Sequence, residues 1–157
     1  MATVTGMGSR SWASVGAVAA TVLVAAGCGA PEAPRLGMFD RPATAQDAIH
    51  DDVVVGDARE TRYVGEAGDG LVYAAQGSAD EPWCVLVALA PLEGSDWTTA
   101  SSCTDDEHFA DSGVWVSATG VDGRGGAALL LPDNFAGDVD ETKWRVVEPN
   151  LAVSLES

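Results

Sequence analysis

Side chains able to do covalent or acid–base chemistry are few in this chain: three cysteines, Cys28, Cys84 and Cys103, and two histidines, His50 and His108. A thiolate can attack an electrophile, ligate a metal or enter a disulfide. An imidazole beside a carboxylate can take up a proton near neutral pH. His50 is followed by Asp51 and Asp52, and His108 is preceded by Glu107, so either could serve as a general base towards a serine hydroxyl. Both lie in polar stretches that read as exposed helix ends, where a solvated imidazole is the plainer reading. Nucleophile-elbow, zinc-helix and phosphate-loop patterns are absent from the sequence. The glycine-rich run 120–126 has the wrong spacing for a dinucleotide turn and reads as a hairpin turn. Asp133-Asn134 and Asp138-Val139-Asp140-Glu141 offer oxygen ligands but lack the spaced set and final Glu of a calcium loop, and read as a solvated acidic loop. The sequence thus assigns no catalytic residue, no metal and no cofactor.

Cys28 has the most informative surroundings. Met1 to Arg10 is polar with one side-chain charge, Arg10, and Ala13 to Ala26 carries none while holding Val15, Val18, Val22, Leu23 and Val24. That is the layout of an export signal, and the run falls short of the roughly 20 apolar residues that span a bilayer comfortably. Val24-Ala25-Ala26-Gly27-Cys28 resembles the lipobox of bacterial lipoproteins, where signal peptidase cuts before a cysteine carrying a diacylglyceryl thioether. The resemblance implies that residues 1–27 are removed, that Cys28 is lipidated, and that the protein is held on the extracytoplasmic face of the cell membrane. A transmembrane anchor and secretory cleavage without lipid are the competing readings. Each buried methylene contributes about 0.8 kcal/mol, so two acyl chains hold durably where one binds marginally.

Once Cys28 is given to lipid, Cys84 and Cys103 remain as a candidate disulfide in a compartment where disulfides persist. Closing a loop of about 20 residues contributes roughly 3 kcal/mol in the chain-entropy model, whose mechanism is disputed. A redox or metal site is the alternative, with no Cys-x-x-Cys and no histidine beside Cys84 to support it. With Arg10 removed, 24 acidic side chains face 7 basic ones, a net −17, and Lys143 is the only lysine. Nucleic-acid binding is excluded by that balance, since phosphate neutralisation needs clustered cations. Anionic headgroups would repel the domain, so a covalent lipid is what would keep it at a membrane.

Residues 28–37, with Pro31 and Pro34, read as a lipidated tether; at about 3.1 Å per residue it spans some 25–30 Å. A single β-rich domain is expected over residues 38–157. Thr44 caps a short helix over Ala45 to Ile49, and Thr104 to Glu107 matches a capping box opening another through Phe109. Thr61–Glu66 and Gly70–Gln76 flank a glycine–aspartate turn, a hairpin signal. Trp83–Ala90 is apolar at every position and ends before Pro91, as a strand buried on both faces would be. Ser95–Ser102 reads as a polar connection, Val114–Thr119 alternates, Ala127–Pro132 is its partner, and Trp144–Val147 and Leu151–Leu155 finish the chain. The expected fold is mainly β: a meander of six or seven antiparallel strands, in a sandwich or half-barrel, with two short helices. Trp115 falls opposite Val114 and Val116. If Trp144 shares that outer face, the two form a ligand or partner patch; packing against another sheet explains them equally well.

The lipobox, Phe39-Asp40-Arg41-Pro42-Ala43-Thr44, Cys84-Val85-Leu86-Val87, Ser102-Cys103, Phe109 with Gly113-Val114, and Pro149-Asn150-Leu151 together are similar to small secreted lipoproteins of actinobacterial, high-GC Gram-positive type. That resemblance implies a location and a two-cysteine β-rich domain, and transfers no catalytic residue. The expectation is a non-catalytic binding or accessory module for an envelope protein or ligand. The alternative is a small envelope hydrolase using His50 or His108.

Overall fold

Eight strands pair into two antiparallel four-stranded sheets in the computed structural model of the chain, which describes residues 32–53, 55–56, 58–92 and 96–156. The signal-like segment and Cys28 lie outside the described residues. Sheet A holds β1 (Glu60–Ala67), β2 (Gly70–Gln76), β3 (Trp83–Leu89) and β4 (Thr98–Thr104) in that spatial order. Sheet B holds β5 (Val114–Thr119), β6 (Gly125–Leu130), β7 (Trp144–Glu148) and β8 (Leu151–Ser154), in the order β5-β6-β8-β7. One helix, α1 (Asp106–Ser112), joins the sheets, and 3-10 turns cover Gly37–Phe39 and Ala45–Asp47. The mainly β, antiparallel sandwich expected from the sequence is what the chain forms.

Alternation builds the core. Val72, Ala74, Val85, Val87 and Leu89 of sheet A face Val114, Val116, Ala118, Ala128, Leu130, Leu151 and Val153 of sheet B. Phe109 of α1 plugs the end of this layer. β3 is buried on both faces, as its unbroken apolar run requires. Its other side, Leu86 and Ala88, packs with Tyr73 beneath Val53, and half-buried Ile49, Val55 and Trp97 complete that cover.

Five details differ from the pattern in the sequence. β4 is a strand, not a polar connection. Its hydroxyl-bearing side chains hide the alternation, but Cys103 lies opposite Cys84 and Ser101 opposite Leu86. The last two strands do not continue a simple meander, because β8 lies between β6 and β7. Leu151, Ala152 and Val153 are buried while most of β7 is exposed, so the more apolar strand takes the interior place. α1 starts one residue later than the Thr104 reading, because the Asp105 carboxylate accepts the His108 backbone N–H at 2.8 Å. The turn after Thr44 is only Ala45–Asp47. Leu36, inside the stretch read as a tether, also belongs to the core.

The glycine-rich run is a hairpin turn, as read, with a packing role in addition. The β1–β2 turn, led by Gly68 at φ +57°, lies against the start of β6, and Asp69 N–H donates to the Gly125 carbonyl at 3.0 Å. A Cβ on Gly126 would sit 1.8 Å from the Ala67 carbonyl oxygen. Gly126→Ala should therefore destabilise the domain by about 2 kcal/mol through backbone displacement; an unchanged urea midpoint would contradict this contact.

Candidate functional site

Cys84 and Cys103 are joined as a disulfide across β3 and β4, closing a sequence separation of 19. The bond fastens the polar edge strand β4 to the apolar centre of sheet A. A shallow cavity of about 240 Å³ adjoins it, with Ala75, Gly77, Ser78 and Glu81 among its lining.

Asp47 and Arg62 are the two buried charged residues among those described, and sequence reasoning missed both roles. The Asp47 carboxylate receives both terminal nitrogens of Arg41, at 2.6 and 2.8 Å. It also accepts the Thr44 N–H and hydroxyl, at 2.7 and 2.8 Å, and the Tyr63 N–H at 3.0 Å. The Arg41 guanidinium, then the Thr44 and Tyr63 donors, hold this carboxyl far below the usual carboxylate range, although burial pushes it the other way. Arg62 projects from β1 under the N-terminal stretch, donating to the carbonyls of Met38 (3.0 Å), Thr61 (2.8 Å) and Arg41 (2.9 Å) and to the Glu60 carboxylate. Its guanidinium lies 5.4 Å from the Phe39 ring centroid. Phe39-Asp40-Arg41-Pro42-Ala43-Thr44 is thus part of a structural clasp. The available signal was Asp47 at the third turn position after Thr44, the acidic member of a capping box.

The histidines lie apart, one over sheet A and one on α1. His50 stacks on Trp97, ring centroids 5.3 Å apart, and its Nδ1 accepts the Asp52 N–H at 3.3 Å. His108 is exposed on α1 beside a groove between β4 and β5. Among the described residues, neither imidazole hydrogen-bonds to a serine hydroxyl. Nor do three His, Cys, Asp or Glu side chains gather around a common point there. In the acidic loop, Asp140 turns inward to the Thr142 N–H (3.0 Å) and hydroxyl (2.5 Å), and its carboxylate lies 3.3 Å from Lys143 Nζ.

The tryptophans do come together. Trp115 lies on β5 and Trp144 on β7, opposite edges of sheet B, yet their ring centroids are 6.4 Å apart with planes at 59°. Between their strands, one row across the outer face reads Trp115, Leu129, Ala152, Val146. The small Ala152 leaves room for indoles to reach inward over the sheet. Trp144 packs half-buried with Leu129, Leu131, Ala152, Phe135 and Val139, whereas Trp115 is 58% exposed. Packing against another sheet, one reading of this pair, describes neither indole: Trp144 packs on the outer face of sheet B beside the β6–β7 connection, and Trp115 stands above it. Exposed Val146 and Leu155 extend the surface beside Trp144. They line a groove of about 580 Å³ together with Asp138, Glu141 and Arg145.

Because Asp47 has a depressed pKa in the fold, its contribution is fully present above the unfolded value of about 3.9 and is lost as pH falls towards the folded one. Asp47→Asn should cost on the order of 2 kcal/mol at neutral pH, since its donors lose a charged acceptor. It should also flatten the loss of stability below about pH 5. Parallel stability curves for the two proteins would refute the clasp. The chain matches no family model, no curated protein and no solved structure, so the functional reading rests on its own geometry.

Proposed function

We propose that the protein is a lipid-anchored binding or accessory module on the extracytoplasmic face of the cell membrane, and that it meets its envelope ligand through the Trp115–Trp144 face of sheet B. The observation carrying this reading is the convergence of two indoles from opposite sheet edges onto one outer face, with Trp115 more than half exposed. Large amphipathic aromatics on an exposed apolar surface are what protein and ligand interfaces use as anchors. Trp144 is fixed by packing, so little side-chain entropy is lost when it is covered. The lipobox-like Val24-Ala25-Ala26-Gly27-Cys28 supports the anchor, as does the likeness to small actinobacterial-type lipoproteins. A domain carrying a net −17 is repelled by anionic headgroups, which favours leaving its binding face towards the envelope rather than on the bilayer.

Two experiments test the two halves. Intact mass of the membrane-extracted protein should give an N-terminus at Cys28 with acyl chains, Cys84 and Cys103 being oxidised; an unacylated or differently placed N-terminus overturns the anchor. Trp115→Ala, at an exposed position, should change stability by less than about 0.5 kcal/mol. Combined with Trp144→Ala it should abolish recovery of the envelope partners bound by the native protein, and an unchanged partner set would sink the tryptophan face.

A further inference from the structure

Sheet edges carry unpaired backbone groups, so each edge has to be accounted for. β1 is covered at its Thr61–Tyr63 end, because Asp47 takes the Tyr63 N–H and the Thr61 hydroxyl donates to the Asp47 carbonyl at 2.8 Å. β4 and β5 pack beside one another where the sheets meet. β7 remains. Leu155 N–H donates to the Lys143 carbonyl at 2.9 Å, which makes that pair a hydrogen-bonded one. In an antiparallel ladder such pairs alternate with pairs whose backbone groups point apart. Trp144 and Val146, opposite Ser154 and Ala152, are of the second kind. Consistent with this, the Trp144 N–H is taken up outside the sheet by the Asp140 carbonyl at 2.9 Å. Val146 therefore turns both its N–H and its carbonyl away from β8, towards the open edge.

We propose that an extended, basic peptide segment of a protein partner adds to this edge as a short further strand, its side chains seated in the groove beside Trp144. This rests on the reading of sheet B as the binding face and names the partner's chemistry. Main-chain pairing along Val146 would supply affinity, and alternate side chains would supply selectivity. The apolar contacts available on the Trp144 side are Trp144, Val146 and Val139, and Val147 is exposed at the same edge. The register shift between Val146 and Glu148 interrupts the strand, so the pairing is only a few residues long. Charge decides the partner's sign. Asp138 and Glu141 line the groove without a hydrogen bond or ion pair among the described residues, and the mature chain carries a net −17. Arg145, the cation of this lining, lies opposite the core residue Val153 and so alternates to the other face from Trp144 and Val146. Lys143 is engaged by Asp140. Lysine or arginine side chains on the outer face of an added strand would meet the two free carboxylates.

The test uses full-length protein in detergent and two synthetic octapeptides, one alternating Lys with Val and one alternating Glu with Val. The basic peptide is expected to bind at least tenfold more tightly than the acidic one and to slow hydrogen exchange at the Val146 amide. Val146→Pro removes only an outward N–H, a change an edge strand accommodates, and should weaken the basic peptide at least tenfold. If that variant does not fold, Asp138→Lys combined with Glu141→Lys should abolish the preference for the basic peptide. No binding of the basic peptide, or binding unaffected by these changes and without Val146 protection, overturns the proposal. Should partner recovery in that event still depend on Trp115 and Trp144, the tryptophan face stands and only the peptide chemistry and edge pairing fail. If neither dependence is seen, both readings fall.

Discussion

The carboxylate of Asp47 is the point on which the arrangement of this domain turns. β2 and β3 are apolar on both faces, so sheet A needs cover on each side. Sheet B provides one cover. The other is a stretch with little regular structure of its own, braced internally by four hydrogen bonds from Arg41 and Thr44 to the buried Asp47 carboxylate and tied to β1 by the Tyr63 N–H, the Thr61 hydroxyl and the guanidinium of Arg62 beneath it. A buried ion pair alone contributes uncertain net stability, because desolvation opposes the Coulomb attraction. Here the carboxylate also takes backbone donors that would otherwise lack partners, one of them on an exposed sheet edge. Its chief effect is specification: it closes the β1 edge and directs Ile49, Val53 and Val55 across the outer face of sheet A.

That division leaves the two sheets unequal. The outer face of sheet A is covered by the chain itself except beside the Cys84–Cys103 bond, where a shallow cavity opens and Ser101 is exposed. The outer face of sheet B is covered only in part, by Phe135 and Val139 of the β6–β7 connection, with Trp144 packed down among them and Trp115 left above the surface. Binding surfaces need apolar area that folding has not already used, and this is where the fold leaves it. The acidity fits the same picture. Carboxylates kept in water favour solubility, and beside an anionic bilayer they would be repelled, a repulsion that the proposed lipid at Cys28 would overcome.

How much of this was readable beforehand follows from where each signal sits. Val114, Val116 and Ala118 alternate along one strand, and Trp83–Leu89 is a continuous apolar run, so the core strands were legible from neighbouring residues. The Cys84–Cys103 pair followed once the third cysteine was set aside. β4 was hidden because Thr, Ser and Cys side chains at a sheet edge read as a loop. Arg62 was hidden because its partners Met38 and Arg41 are distant in sequence, whereas Asp47 had local partners in Arg41 and Thr44 and only its tie to Tyr63 lay beyond reach. Alternation correctly placed Trp115 outward. Its meeting with Trp144 depends on β8 lying between β6 and β7, an order that strand patterns along the chain do not encode.

On this reading the protein meets its ligand on the Trp115–Trp144 face of sheet B and not on the outer face of sheet A. Photocrosslinking in cells addresses it most directly. One photoreactive residue would replace Ser117, exposed on β5 two residues after Trp115, and another would replace Ser101, exposed on β4 opposite Leu86 on the outer side of sheet A. A discrete adduct is expected from position 117 and none from position 101. Adducts from position 101 alone would contradict it.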